Sequence, residues 1–121
     1  MKSYHDAQAF VKHLKDQKDT LIVEFWMEKC KPCKELTPLL DELSKTIQIV
    51  KFEVNRMDQD STTDDDLMEF FPLFKNADNK LVSYWTAGLP CLVMIRNGKI
   101  IKHASFTHVS TAEKLKSWVF V

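Results

Sequence analysis

Cys30 and Cys33 sit two residues apart in the stretch EFWMEKCKPCKEL, residues 24–36, just past an apolar run and just ahead of a helical pattern. Thiols at that spacing can exchange disulfides, hold part of a metal, or pack inertly. A turn between a buried strand and a helix N-terminus favours the first, because unpaired backbone N–H groups and the positive end of the helix dipole stabilise a thiolate. Lys29, Lys31 and Lys34 add positive charge around the pair. Cys30 is then the acidic, reactive thiol, and Cys33, one turn into the helix, is placed to attack a mixed disulfide formed at Cys30. Zinc would want four ligands. Cys91 with one of His5, His13, His103 or His108 could complete such a site in three dimensions, but none shows ligand spacing.

The elements that must position this pair alternate between helix and strand. Ser3 followed by Asp6 resembles a capping pair, and Phe10, Val11 and Leu14 follow at helical spacing, which predicts a first surface helix. Residues 20–26, TLIVEFW, form a β-branched and aromatic run with Glu24 as its one charge, the pattern of a strand covered on both faces. Leu36, Leu39, Leu40, Leu43 and Ile47 repeat at steps of three and four, so a helix runs from the cysteines towards Thr46, with Pro38 expected to kink it. Residues 47–54, IQIVKFEV, make a second strand, and strand–helix–strand implies a parallel crossover. Residues 91–96, CLVMIR, read as a third strand. Asn97-Gly98 turns that strand into a fourth, KIIKHAS, as an antiparallel hairpin. Ser110 with Glu113 is a capping box for a last helix that buries Leu115, Trp118 and Val119.

Size and charge narrow the functions. A chain of 121 residues is expected to form one domain around one core. Seventeen basic and seventeen acidic residues balance, so there is no field to gather nucleic acid or an anionic membrane surface. The first residues lack a signal-peptide core, and no apolar run is long enough to span a bilayer, which predicts a soluble, cytoplasmic protein with neither nucleic acid nor membrane as partner. Three cysteines fit a reducing compartment better than a disulfide-stapled scaffold.

VEFWMEKCKPCKELTPLLDEL resembles the active-site segment of the thioredoxin family, where acid-Phe-Trp leads into Trp-Cys-Gly-Pro-Cys-Lys and a proline-kinked helix. Tyr84 with Gly88-Leu89-Pro90 is similar to the family's tyrosine and Gly-Ile-Pro, and RNGKII to its hairpin. The resemblance covers most of the chain. It implies an α/β thioredoxin-like fold, a central mixed sheet of four to five strands flanked by helices. It implies a thiol–disulfide oxidoreductase, most simply a reductase, with no bound cofactor. Cys30 would attack and Cys33 resolve. Pro90 would be a cis-proline beside the disulfide, and Leu89 would offer backbone hydrogen bonds to an extended substrate. Glu24 takes the place of the family's buried aspartate, whose raised pKa suits it to move the proton of the resolving thiol, and Lys51 that of its lysine neighbour. Glu24 could alternatively do no more than pair with Lys51 across neighbouring strands. Lys29, Lys31 and Pro32, with Leu89 and Pro90, make the expected substrate face. The implied partners are disulfide-containing proteins and an upstream reductase or small thiol as electron donor, with the chain acting as a monomer.

The departures from the family bear on substrate choice. Lys29 stands where the family has a tryptophan, Lys31 replaces the glycine between the cysteines, and Ala104-Ser105-Phe106 replaces the region of a glycine that lets partners approach. These changes leave open a second reading, a scaffold domain that uses the altered face to hold one partner. Cys91 follows Pro90 directly and is read as a packed thiol. Residues 56–79 form an insertion, acidic first and aromatic later. Asp58, Asp60, Thr62, Asp64, Asp66 and Glu69 fall at the ligand positions of a calcium loop. Thr63 and Asp65 break that pattern, so an acidic helix N-terminus capped by Thr62 or Thr63 is the simpler expectation. Leu67, Met68, Phe70, Phe71 and Phe74 then pack on the domain, with Pro72 limiting the helix.

Overall fold

The computed structural model describes residues 1–54 and 65–121. Through them run β1 (Lys2–Tyr4), α1 (Ala7–Asp16), β2 (Leu21–Trp26), α2 (Lys31–Leu43), β3 (Gln48–Glu53), α3 (Asp65–Phe70), β4 (Phe74–Lys75), β5 (Leu81–Val82), β6 (Cys91–Arg96), β7 (Lys99–Ser105), α4 (Phe106–Val109) and α5 (Ala112–Phe120). One five-stranded sheet has the order β1-β3-β2-β6-β7, and β4 pairs with β5 apart from it. β3 runs parallel to both β1 and β2, whereas β6 runs antiparallel to β2 and to β7. The sheet is mixed, as expected, because α2 carries the chain back for a parallel crossover and a tight turn cannot.

β2 is central, and both of its faces are covered. Leu21, Val23 and Phe25 meet Phe10, Leu14, Leu67 and Phe71 from α1 and the α3 segment. Ile22, on the opposite face, joins Leu36, Leu40 and Leu43 of α2 and Leu115 and Val119 of α5. The continuous apolar run of this strand follows from that two-sided burial. The first core is rich in rings: Phe10 lies 4.6 Å from Phe52, and Phe25 lies 5.1 Å from Phe71.

The elements begin at other residues than the sequence suggests in several places. Ser3 does not cap α1, because it is paired in β1. Asp6 caps α1 instead, accepting from the Gln8 N–H at 3.1 Å. Ser110 adopts helical angles at the end of α4, so the extended Thr111 becomes the cap of α5 and accepts from the Lys114 N–H at 3.1 Å. Asn97 and Gly98 both take positive φ, 52° and 73°, as the tight hairpin between β6 and β7 requires.

The aromatic half of the proposed insertion packs as expected. Leu67 and Phe71 are fully buried. Of the calcium-loop candidates, Asp58, Asp60, Thr62 and Asp64 lie outside the described residues, as do the caps proposed at Thr62 and Thr63. Tyr84 sits in a single turn closed by the Thr86 and Ala87 N–H groups donating to the Ser83 carbonyl. Among the described residues no helix is long and apolar enough to cross a membrane.

Candidate active site

Cys30 is the N-cap of α2, with extended angles, and its Sγ accepts the Cys33 N–H at 3.1 Å. A sulfur at an N-cap faces the orphan amides and the positive pole of the helix, so both stabilise the thiolate that reduction of the disulfide releases. Pro32 occupies the first turn, where its missing N–H costs nothing. Cys30 and Cys33 form a disulfide with Cα atoms 5.2 Å apart. Cys33 is 2% exposed and Cys30 8%, so attack from solvent falls more readily on the sulfur of Cys30. Lys29, Lys31 and Lys34 are exposed around the pair, and Pro32 is half-buried.

Glu24 lies on the face of β2 that α2 covers. It is fully buried, and neither carboxyl oxygen has a hydrogen-bond partner. Register sets Lys51 directly opposite it on β3, with Nζ 3.7 Å from Oε1, an ion-pair distance too long for a hydrogen bond. Burial pushes the carboxyl from its ordinary 4.5 up to about 7, with Lys51 pulling in the other direction. The acid therefore exchanges its proton near neutral pH.

The peptide before Pro90 is cis. Because Cys91 pairs with Phe25 in antiparallel register, Leu89 and Pro90 stand at the end of β2 from which residues 27–30 lead to the disulfide. Ser105 pairs with Cys91, so the end of β7 reaches the same edge. Leu89 is half-buried there, Pro90 buried and Ser105 exposed.

Cys91 is 4% exposed, at the floor of an open cleft of about 450 Å³ between the β4–β5 hairpin and the end of β7. Burial pushes its thiol up to about 12, which leaves it protonated and a poor nucleophile. Among the described residues no three His, Cys, Asp or Glu side chains converge on a metal position.

Trp26 and Ser3 also join this neighbourhood. Trp26 lies with its ring centroid 4.2 Å from Lys51 Nζ and donates its indole N–H to Ser3 Oγ at 3.2 Å. Sequence offers no direct signal for that contact, because it depends on β1 lying beside β3.

A family model described as Thioredoxin matches residues 2–84. A thioredoxin of Rickettsia conorii is 34% identical over 91 residues, covering 75% of this chain and 71% of the relative. A thioredoxin of Buchnera aphidicola is 27% identical over 92 residues, covering 76% and 70%. Among solved structures, Fasciola hepatica thioredoxin superposes with a TM-score of 0.67 at 18% identity, covering 98% of this chain and 96% of that one. Oxidised mitochondrial thioredoxin 3 of Saccharomyces cerevisiae superposes with the same TM-score at 18% identity, covering 98% and 92%. At that identity the superpositions speak for the fold, and they extend past the family match to include Pro90 and β7.

Proposed function

This chain belongs to the thioredoxin family and is a thiol–disulfide oxidoreductase, and from that premise we propose that Cys30 and Cys33 carry the exchange, with Glu24 as proton acceptor. The Cys30–Cys33 disulfide at the N-terminus of α2 is the observation on which this reading rests.

In the reducing direction the dithiol form acts first. The Cys30 thiolate attacks one sulfur of a substrate disulfide; a mixed disulfide forms, and one substrate cysteine leaves as a thiolate that takes up a proton. Glu24 then accepts the proton of Cys33. The Cys33 thiolate attacks Cys30 Sγ, the mixed disulfide breaks, and the second substrate cysteine leaves and is protonated. Two electrons have passed to the substrate, and the enzyme holds the Cys30–Cys33 disulfide. The family implies disulfide substrates and a reductase partner. Here an upstream reductase or a small thiol returns the dithiol form.

Leu89 and Pro90 present an extended substrate to Cys30, and Lys29, Lys31 and Pro32 form the rest of the contact face. The position of both segments at one end of β2 supports this assignment. Lys51 holds the charge of Glu24 within reach of neutrality. On this reading the chain works as a monomer in the cytoplasm.

The test is trapping. With a disulfide-containing protein as substrate, Cys33→Ser accumulates a mixed disulfide at Cys30, and Cys30→Ser gives neither adduct nor turnover. Adducts at Cys91, or turnover without Cys30, would overturn the assignment.

A further inference from the structure

On the face of the sheet beneath α2, strand register lines up three side chains in a row. Ser3 of β1 is opposite Lys51 of β3, and Lys51 is opposite Glu24 of β2. Trp26 is two residues beyond Glu24 on the same face, diagonal to Lys51. Its indole lies over the Lys51 ammonium at 4.2 Å and reaches across β3 to donate to Ser3 Oγ at 3.2 Å. The ring thus bridges the two strands on either side of Lys51 and roofs it, and the lysine side chain is only 14% exposed. Lys51 has two attractions, the carboxylate of Glu24 at 3.7 Å and the face of the indole. An ammonium on a flexible stem would otherwise turn to water.

We infer that Trp26 is a positioning residue for the exchange reaction: tied to β1 through Ser3, it holds Lys51 against Glu24 and so helps set the proton affinity of the buried acid. The inference rests on the role given to Glu24 above. Other groups share this face. β3 contributes Glu53, nearly buried and opposite Trp26; β6 contributes the apolar Leu92 and Met94. From α2 come the buried Leu36 and Leu40, with Cys33 the one buried group able to titrate once reduced. Lys51 is the cation among them, so any group that fixes its ammonium acts on Glu24.

The experiment is a double-mutant cycle read on the Glu24 carboxyl itself, by carbon-detected NMR titration of Trp26→Leu, Lys51→Met and the double variant. Leucine keeps the site apolar and removes the ring. Trp26→Leu should raise the pKa of Glu24 by on the order of half a unit, since a loosened Lys51 stabilises the carboxylate less. Adding Trp26→Leu to Lys51→Met should produce no further shift. Ser3→Ala should move Glu24 in the same direction by less, with folding intact because Ser3 is exposed. An unchanged pKa in Trp26→Leu would overturn the inference. So would an equal rise in the Lys51→Met background, which would mean that Trp26 acts on Glu24 without Lys51, or a fall in Trp26→Leu, which would mean that the ring acts chiefly by excluding water. If the carboxyl moves as described while the pH profile of exchange does not, the positioning stands and the catalytic role of Glu24 fails.

Discussion

Glu24 and Lys51 face each other across parallel strands at 3.7 Å, one fully buried and the other nearly so, yet neither carboxyl oxygen is hydrogen-bonded. A structural ion pair would satisfy its oxygens, because an uncompensated buried carboxylate is costly. This one is left poised between charged and neutral.

That poise has a measurable effect on stability. The folded carboxyl titrates near 7 against an ordinary 4.5, so between those values the folded protein binds the proton that the unfolded chain has released. Stability therefore falls as pH rises through this window and levels off above about 7, a loss on the order of 3 kcal/mol. Glu24→Gln removes the titration. The difference in urea-unfolding free energy between variant and wild type should grow from pH 5 to pH 8.5 in favour of the variant. A difference independent of pH would contradict the buried, raised acid.

The same residue should govern resolution of the mixed disulfide. With wild-type protein, the rate at which Cys33 displaces a trapped partner from Cys30 should rise with pH through about 7, as Glu24 becomes able to accept a proton. Glu24→Gln should slow this step by about 10-fold or more at neutral pH and leave the first attack by Cys30 nearly unchanged. Quenched-flow alkylation separates the two steps.

Lys31 is exposed beside the N-cap sulfur and favours the thiolate of Cys30. Lys31→Gly should raise the Cys30 pKa by a few tenths of a unit, roughly, and make the disulfide correspondingly more reducing. Thiolate absorbance against pH checks the first effect, and equilibration with glutathione the second.

Cys91 should be a bystander. Buried and pushed up to about 12, it should resist alkylation in the native protein, and Cys91→Ala should leave exchange kinetics unchanged while costing about 1 kcal/mol of stability. Loss of turnover in that variant would show a third redox thiol.

Phe71 ties the segment after α3 to the first core through ring contacts with Phe10, Phe25 and Tyr84. Phe71→Ala should cost about 3–5 kcal/mol, read by denaturant midpoint. A cost below about 1 kcal/mol would mean that this segment is merely laid on the surface.

How legible these relationships were depended on their range. β2, β3, β6 and β7 show in the sequence because each is a run of β-branched or aromatic residues ending at a turn, and Asn97-Gly98 names its own turn type. β1 is three residues long and polar, so nothing local announces it; it exists because β3 offers a free edge. β4 and β5 have two residues each, below the length at which alternation can be seen. The caps slipped because Ser3 and Ser110 have the right side chains but not the extended backbone, which Asp6 and Thr111 adopt. Within the candidate site, motif and resemblance point to the Cys30–Cys33 pair, the cis peptide before Pro90 and a buried Glu24, and the structure has all three features. The bridge from Trp26 over Lys51 to Ser3 was not legible, since it is set by strand order and register.

The most direct test of the account is a redox titration of the intact chain in defined dithiothreitol or glutathione buffers, with mass-tag alkylation and peptide mapping of all three cysteines. Cys30 and Cys33 should convert together as one two-electron couple while Cys91 stays a thiol throughout, at a potential below that of glutathione if the protein is a reductase. Independent oxidation of Cys30 and Cys33, or pairing of either with Cys91, would contradict it.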